Sequence, residues 1–184
     1  MKNKTKFIAF FLLSFVFISE SWAENINVRD PYKHFFNETW GDFPEELQNA
    51  KEAGKKGILI FFEMDECPFC HYMKKNVLNQ PKVQDFYRKH FLNFVIDIEG
   101  DVEIVNLKGK AVKQKDLAKK YRVRATPVIA YFNLEGKLIY RHTGKTSGVD
   151  EFMWLGEFIA NEVYKKKIRF SHYKKQKRAE KKNK

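Results

Sequence analysis

The chain has 184 residues, 35 of them basic and 23 acidic, for a formal net charge of +12, and it contains only two cysteines. Residues 165–184 carry eleven basic side chains against one acid, Glu180, so the excess charge belongs to the end of the chain and says nothing about the neutral body before it. Two cysteines also exclude the usual four-ligand zinc finger, because no second Cys/His pair follows at finger spacing.

Residues 1–23 read as a secretory signal peptide. Lys2, Lys4 and Lys6 form its basic start, Phe7 to Ile18 its apolar stretch, and Ser21-Trp22-Ala23 a small-x-small cleavage site. The apolar stretch is well short of the ~20 residues that a spanning helix needs. The expected location is a periplasm, where disulfides form and exchange. Export also argues against nucleic acid as a partner.

Residues 24–164 suit one domain. The first of them, 24–38, show no clean period and are expected to wrap the domain as an arm. Asp42, Pro44, Glu45 and Glu46 then supply a cap, a first-turn proline and first-turn acids for a helix that runs to Gly54. Gly57 opens the apolar run Ile58-Leu59-Ile60-Phe61-Phe62, which predicts a buried strand. Glu63-Met64-Asp65-Glu66 breaks that run, and Cys67-Pro68-Phe69-Cys70-His71 follows. Proline suits the first turn of a helix, where its missing N–H is no loss. The cysteines therefore fall at a helix N-terminus one turn apart.

The helix is expected to continue through Met73, Val77 and Leu78, and a further helical piece covers Val83 to His90. Leu92 to Ile98 reads as a second buried strand. Val102, Ile104 and Leu107 around Lys108-Gly109 suggest a small hairpin or extended insert, and Lys113 to Tyr121 a helix. Pro127 opens the strand Val128 to Phe132, Asn133-Leu134-Glu135-Gly136 is a hairpin turn, and Lys137 to His142 returns. Val149 to Tyr164 reads as a helix with Phe152, Leu155, Ile159 and Val163 on one face. The basic tail, 165–184, reads as flexible and solvating. Its charges, interrupted by Ile168, Phe170 and Tyr173, also suit an anionic membrane surface.

A helix start presents free N–H groups and the positive dipole end, which favour a thiolate. A structural disulfide across so short a loop would remove little unfolded-state entropy. Cys67 and Cys70 are therefore the candidate redox-active disulfide and catalytic pair: Cys67, nearer the helix end, as nucleophile, and Cys70 as resolving thiol. A thiol of pKa ~8.5 is about 3% ionised at neutral pH; lowering it to ~7 gives about 16-fold more thiolate and about fivefold less nucleophilicity. The pKa thus governs direction more than speed. The alternative is a Cu(I)-binding module, since Met64, Cys67, Cys70, His71 and Met73 gather soft donors within ten residues.

A strand running into Cys-x-x-Cys, a later Thr126-Pro127 opening a strand, Leu134-Glu135-Gly136-Lys137 and a terminal helix together resemble the thioredoxin fold over about residues 40–164. The chain resembles the exported thioredoxin-related proteins of the SoxW type, which also carry an insert before the Thr-Pro strand. The resemblance implies an α/β thioredoxin fold, a mixed central sheet flanked by helices with a small insert before the cis-Pro strand. It implies a thiol–disulfide oxidoreductase, acting as a disulfide reductase on disulfide-containing protein substrates and recharged by a membrane thiol carrier. Thr126 and Pro127 become the substrate-binding pair: a cis bond at Pro127 would face the backbone of Thr126 to the dithiol, where a substrate pairs as a short added strand. The other reading of Pro127 is an ordinary trans proline starting an edge strand. No metal and no cofactor are implied, and no Gly-rich nucleotide fingerprint is present.

The departures from thioredoxin define a gap. Pro68-Phe69 replaces Gly-Pro between the cysteines, Glu66 stands where a tryptophan precedes the first, and Phe61 occupies the position of the buried aspartate that accepts a proton. Glu63, Asp65 and Asp97 are the candidates to replace that aspartate. Glu63, four residues before Cys67, is the favoured proton acceptor.

Overall fold

The computed structural model describes residues 27–183, so the leader expected over residues 1–23 lies outside the described residues. The strands β1 (Gly57–Glu63) and β2 (Phe91–Asp97) pair in parallel. β1 also pairs antiparallel with β5 (Val128–Phe132), and β5 with β6 (Leu138–Thr143), giving the order β2-β1-β5-β6. The expected insert is the antiparallel hairpin β3 (Glu103–Val105) and β4 (Ala111–Lys113).

β1 is buried from Gly57 to Phe62, as an unbroken apolar run in a central strand requires. Its side chains alternate between two cores. Leu59 and Phe61 face the core with the cysteines, while Ile58, Ile60 and Phe62 face Phe94, Val128 and Phe132 on the other side. Each such side chain contributes about 2 to 3 kcal/mol on burial. Gly57 has φ +151°, and a Cβ there would stand 2.0 Å from the Phe132 carbonyl oxygen. Only glycine lets the neighbouring strand end come that close.

Helices cover both faces. α2 (Phe43–Glu52) is capped by Asp42, whose carboxylate accepts from Glu45 N at 3.0 Å. α3 (Pro68–Asn76) begins at the dithiol and α4 (Pro81–His90) follows; α5 (Gln114–Lys120) leads into the loop before β5. The arm forms a short helix, α1 (Pro31–His34), and sends Phe35 and Phe36 into the cysteine-side core. Asn93 binds it: Asn93 Nδ2 donates to Phe35 O at 3.1 Å, and Asn93 N donates to Asn37 Oδ1 at 2.9 Å. The arm thereby covers the outer edge of β2, where unpaired backbone would otherwise invite another strand.

Two expectations need correction at the C-terminal end. α6 spans Val149–Ala160 and stops short of Tyr164, because Glu162 turns left-handed at φ 55° and a 3-10 turn covers Val163–Lys166. The tail is also not a flexible extension, for Phe170–Lys182 forms a further helix, α7. The reversal after α6 brings Phe170 back onto Tyr140, His142 and Phe158, and leaves it 6% exposed. Residues 173, 174, 177, 178 and 181 follow it at helical spacing along the docked face. Lys174 and Arg178 pair with Glu151, Lys177 with Glu157, and Lys181 with Asp150.

Candidate active site

The motif begins where β1 ends. Cys67 is the N-cap of α3 with extended backbone, and its Sγ accepts from Cys70 N at 3.0 Å, so a free N–H of the helix's first turn points at sulfur. Cys67 and Cys70 form a disulfide, with Cα atoms 5.2 Å apart. Cys67 is 3% exposed and Cys70 fully buried, both in one core cluster with Phe36, Phe61, Met73 and Ile129. The expected order of accessibility is present, but the nucleophile candidate is far less open than its helix-start position implied. Phe36 of the arm belongs to the same core cluster, and Cys67 N donates to Asp65 O at 3.0 Å.

His71 meets the backbone of the segment that leads into the motif. Its Nε2 lies 3.0 Å from Asp65 O, and a carbonyl only accepts, so this nitrogen carries the proton. Met73 is buried, with its sulfur 3.5 Å from the Thr146 hydroxyl. The two cysteine sulfurs are joined to each other and His71 and Met73 each meet a protein partner, so nothing in the site speaks for the copper alternative. Among the described residues no group of three or more His, Cys, Asp and Glu is arranged to hold a metal.

Of the three carboxylates, Asp65 is exposed and Asp97 is turned into its own loop, accepting from Glu99 N at 2.9 Å. Glu63 is different. Its side chain is 13% exposed, 2.9 Å from Lys74 Nζ and 3.1 Å from the Tyr32 hydroxyl, and Lys74 Nζ also donates to Tyr32 at 2.7 Å. Lys74 stands one helical turn after Cys70 on the same face of α3. Burial alone would lower its ammonium pKa, but the Glu63 carboxylate and the Tyr32 oxygen outweigh that and hold it above its ordinary value. Burial raises the Tyr32 hydroxyl as well, the adjacent ammonium opposing it only in part. Neither partner stood out in the sequence; the i,i+4 spacing from Cys70 is the one signal that pointed to Lys74.

Thr126-Pro127 carries the cis peptide bond, so the trans reading is set aside. Phe62 pairs with Val128, which brings Glu63 and Pro127 to one end of the sheet, the end where the dithiol loop leaves β1. Pro127 is buried and its carbonyl accepts from Gly144 N at 2.8 Å. Thr126 is half-buried, and among the described residues its backbone takes no backbone partner.

A family of thioredoxin-like domains matches residues 43–160. The disulfide bond reductase DsbH of Chlamydia pneumoniae is 23% identical over 105 residues, 57% of this chain; the match spans 62% of that protein's length. A solved thioredoxin-fold protein from Helicobacter pylori is 27% identical, with a TM-score of 0.56 over 68% of this chain and 82% of its own. A solved DsbH oxidoreductase is 21% identical, with a TM-score of 0.53 over 70% of this chain and 88% of its own, a likeness of fold. No helix among the described residues is long and apolar enough to cross a membrane.

Proposed function

The chain belongs to the family of thioredoxin-like domains, and on that footing we propose that it is a thiol–disulfide oxidoreductase working as a reductase of disulfide-containing proteins. The observation that carries the proposal is the Cys67–Cys70 disulfide at the start of α3, with Cys67 Sγ accepting from a helix-start N–H. In the reduced protein that N–H would favour a Cys67 thiolate. The thiolate attacks a substrate disulfide, forming a Cys67–substrate disulfide and releasing one substrate thiolate. Cys70, deprotonated, then attacks Cys67 Sγ; the Cys67–Cys70 disulfide forms and the second substrate thiolate leaves. The substrate has gained two electrons, and a dithiol donor must return them to the protein. In this reading Glu63, steadied by Lys74 and Tyr32, takes the proton from Cys70, and the unpaired backbone of Thr126 beside Pro127 receives the substrate chain as a short strand.

The basic, apolar and small-residue order of residues 1–23 supports export to a periplasm, and with it the SoxW-type branch of the family and a membrane thiol carrier as donor. An anionic membrane surface is a narrower proposal than the sequence suggested, because Lys174, Lys177, Arg178 and Lys181 are engaged on α6. It falls to the outward Lys167, Arg169, Lys175 and Lys182. The test of the function is mixed-disulfide trapping. Cys70→Ser is expected to accumulate protein adducts through Cys67 that dithiothreitol releases, and Cys67→Ser to accumulate none. Adducts through Cys70 in the Cys67→Ser protein would reverse the assignment, and none in either would refute the reaction.

A further inference from the structure

The loop between β6 and α6, residues 144–148, touches the site from the side that the sequence left empty. Lys145 on it is exposed, and its Nζ lies 4.2 Å from the centre of the Tyr72 ring and 5.7 Å from that of Phe69. Phe69 is one of the two residues between the cysteines and is 53% exposed. A lysine ammonium over two aromatic faces is attracted by their quadrupoles, so the charge has a preferred resting place beside the motif.

The loop that carries Lys145 is tied down around it. Gly144 N donates to Pro127 O at 2.8 Å, and Thr146 is fully buried with its hydroxyl 3.5 Å from the Met73 sulfur. Ser147 N donates to Glu151 at 3.4 Å, and its hydroxyl donates to the same carboxylate. Glu151 is 6% exposed and also meets Lys174 of α7 at 2.7 Å. Burial alone would raise the Glu151 carboxyl, but Lys174 and Ser147 outweigh it and keep the group below its ordinary value. Lys145 is thus presented by a braced loop.

Its charge also has a side. The Asp65 backbone carbonyl meets His71, and His71 and the pair Phe69–Tyr72 project from different sides of α3, given ~100° per residue. The exposed acids Asp65 and Glu66 belong to the segment before Cys67, whose backbone meets His71, whereas the ammonium sits on the aromatic flank.

We propose that Lys145, seated on Phe69 and Tyr72, is a specificity-determining residue of the dithiol site, favouring disulfide-bearing segments that carry a carboxylate side chain next to the cysteine. The assignment rests on the oxidoreductase reading. Phe69 supplies the apolar contact and Lys145 the charge. A carboxylate about 6 Å from the ammonium, at an effective dielectric between surface and water values, gains about three- to tenfold in rate, and an ammonium loses as much.

The test uses full-length protein, reduced in advance, in single-turnover reduction of peptide disulfides that differ only in Glu, Gln or Lys beside the cysteine. The acidic-over-basic rate ratio is expected to be on the order of ten or more at low salt and to approach one in 1 M salt. It should fall about tenfold in Lys145→Gln, drop below one in Lys145→Glu, and recover in Lys145→Arg. A ratio that is the same in the wild type and in both Lys145→Gln and Lys145→Glu would overturn the assignment. Failure of the wild type to reduce the Gln peptide would instead overturn the reductase reading. The same ratio would then be read in reverse, from oxidation of the reduced peptides by the disulfide form.

Discussion

Phe170→Ala tests whether the C-terminal helix is part of the folded domain. The Phe170 ring is 6% exposed, lies 5.5 Å from the Phe158 ring and 6.3 Å from those of Tyr140 and His142, and anchors the start of α7. Phe→Ala in a core costs about 3 to 5 kcal/mol; this site is at the rim of its cluster, so the lower end applies. The rest of α7 offers little to offset the loss. A helix of 13 residues is marginal alone in water. Its ties to α6 are lysine and arginine pairs, of which only those to Glu151 reach a nearly buried partner. About 3 kcal/mol corresponds to a fall in Tm of roughly 6 to 12 °C for a domain of this size. Thermal melts of the oxidised proteins followed by circular dichroism would read it, with Phe170→Leu expected to recover most of the loss. A fall below about 2 °C for Phe170→Ala would refute the reasoning, and α7 would then be an undocked tail.

Three further outcomes follow from other parts of the molecule. Gly156→Ala should cost about 1 to 3 kcal/mol, measured by urea unfolding. A Cβ there meets Phe86 Cε1 at 2.6 Å and the Tyr87 hydroxyl at 2.9 Å, and Tyr87 cannot swing aside because it stacks on Phe152 and bonds its carbonyl at 2.7 Å. Acidification should lower Tm in two phases. Burial pushes the His142 imidazole below its ordinary value near ~6.5, so the unfolded chain binds that proton more readily and stability falls as pH drops through ~6.5; His142→Gln should flatten this first phase. The depressed Glu151 carboxyl contributes above its unfolded value near ~4.3 and loses that contribution below it, so Glu151→Gln should weaken the second phase. Glu63→Gln should slow release of the second substrate thiol by about 10²-fold and spare the first attack, as read by single-turnover kinetics; equal slowing of both steps would move the proton to water.

The parts of this fold that local chemistry dictates were legible. Ile58 to Phe62 as a buried strand, Asp42 as a cap, Pro68 at a helix start and the hairpin insert all follow from short-range pattern, and each stands in the structure. The motif and Pro127 were legible because few residue types suit those positions. The surroundings of the site were not. Glu63 meets Tyr32 across 31 positions and Lys74 across 11; beyond the i,i+4 spacing of Lys74 from Cys70, nothing in either neighbourhood announces the partner. Lys145 reads as one more surface lysine until the loop is folded against Phe69 and Tyr72. The tail misled for a related reason: its charge run has the composition of a solvated segment, and the carboxylates that receive it sit on α6, where they read as ordinary surface acids.

The central claim, a reversible dithiol that donates electrons, is tested most directly by the reduction potential of the Cys67–Cys70 couple, equilibrated against glutathione or dithiothreitol buffers and read by thiol alkylation. Related dithiols span about −270 to −120 mV, about 7 kcal/mol for two electrons. The account predicts a single two-electron transition toward the reducing end, at about −230 mV or below. A potential above about −180 mV would mark an oxidant or isomerase and contradict the reductase reading. A disulfide that no buffer in that range opens would contradict redox function altogether.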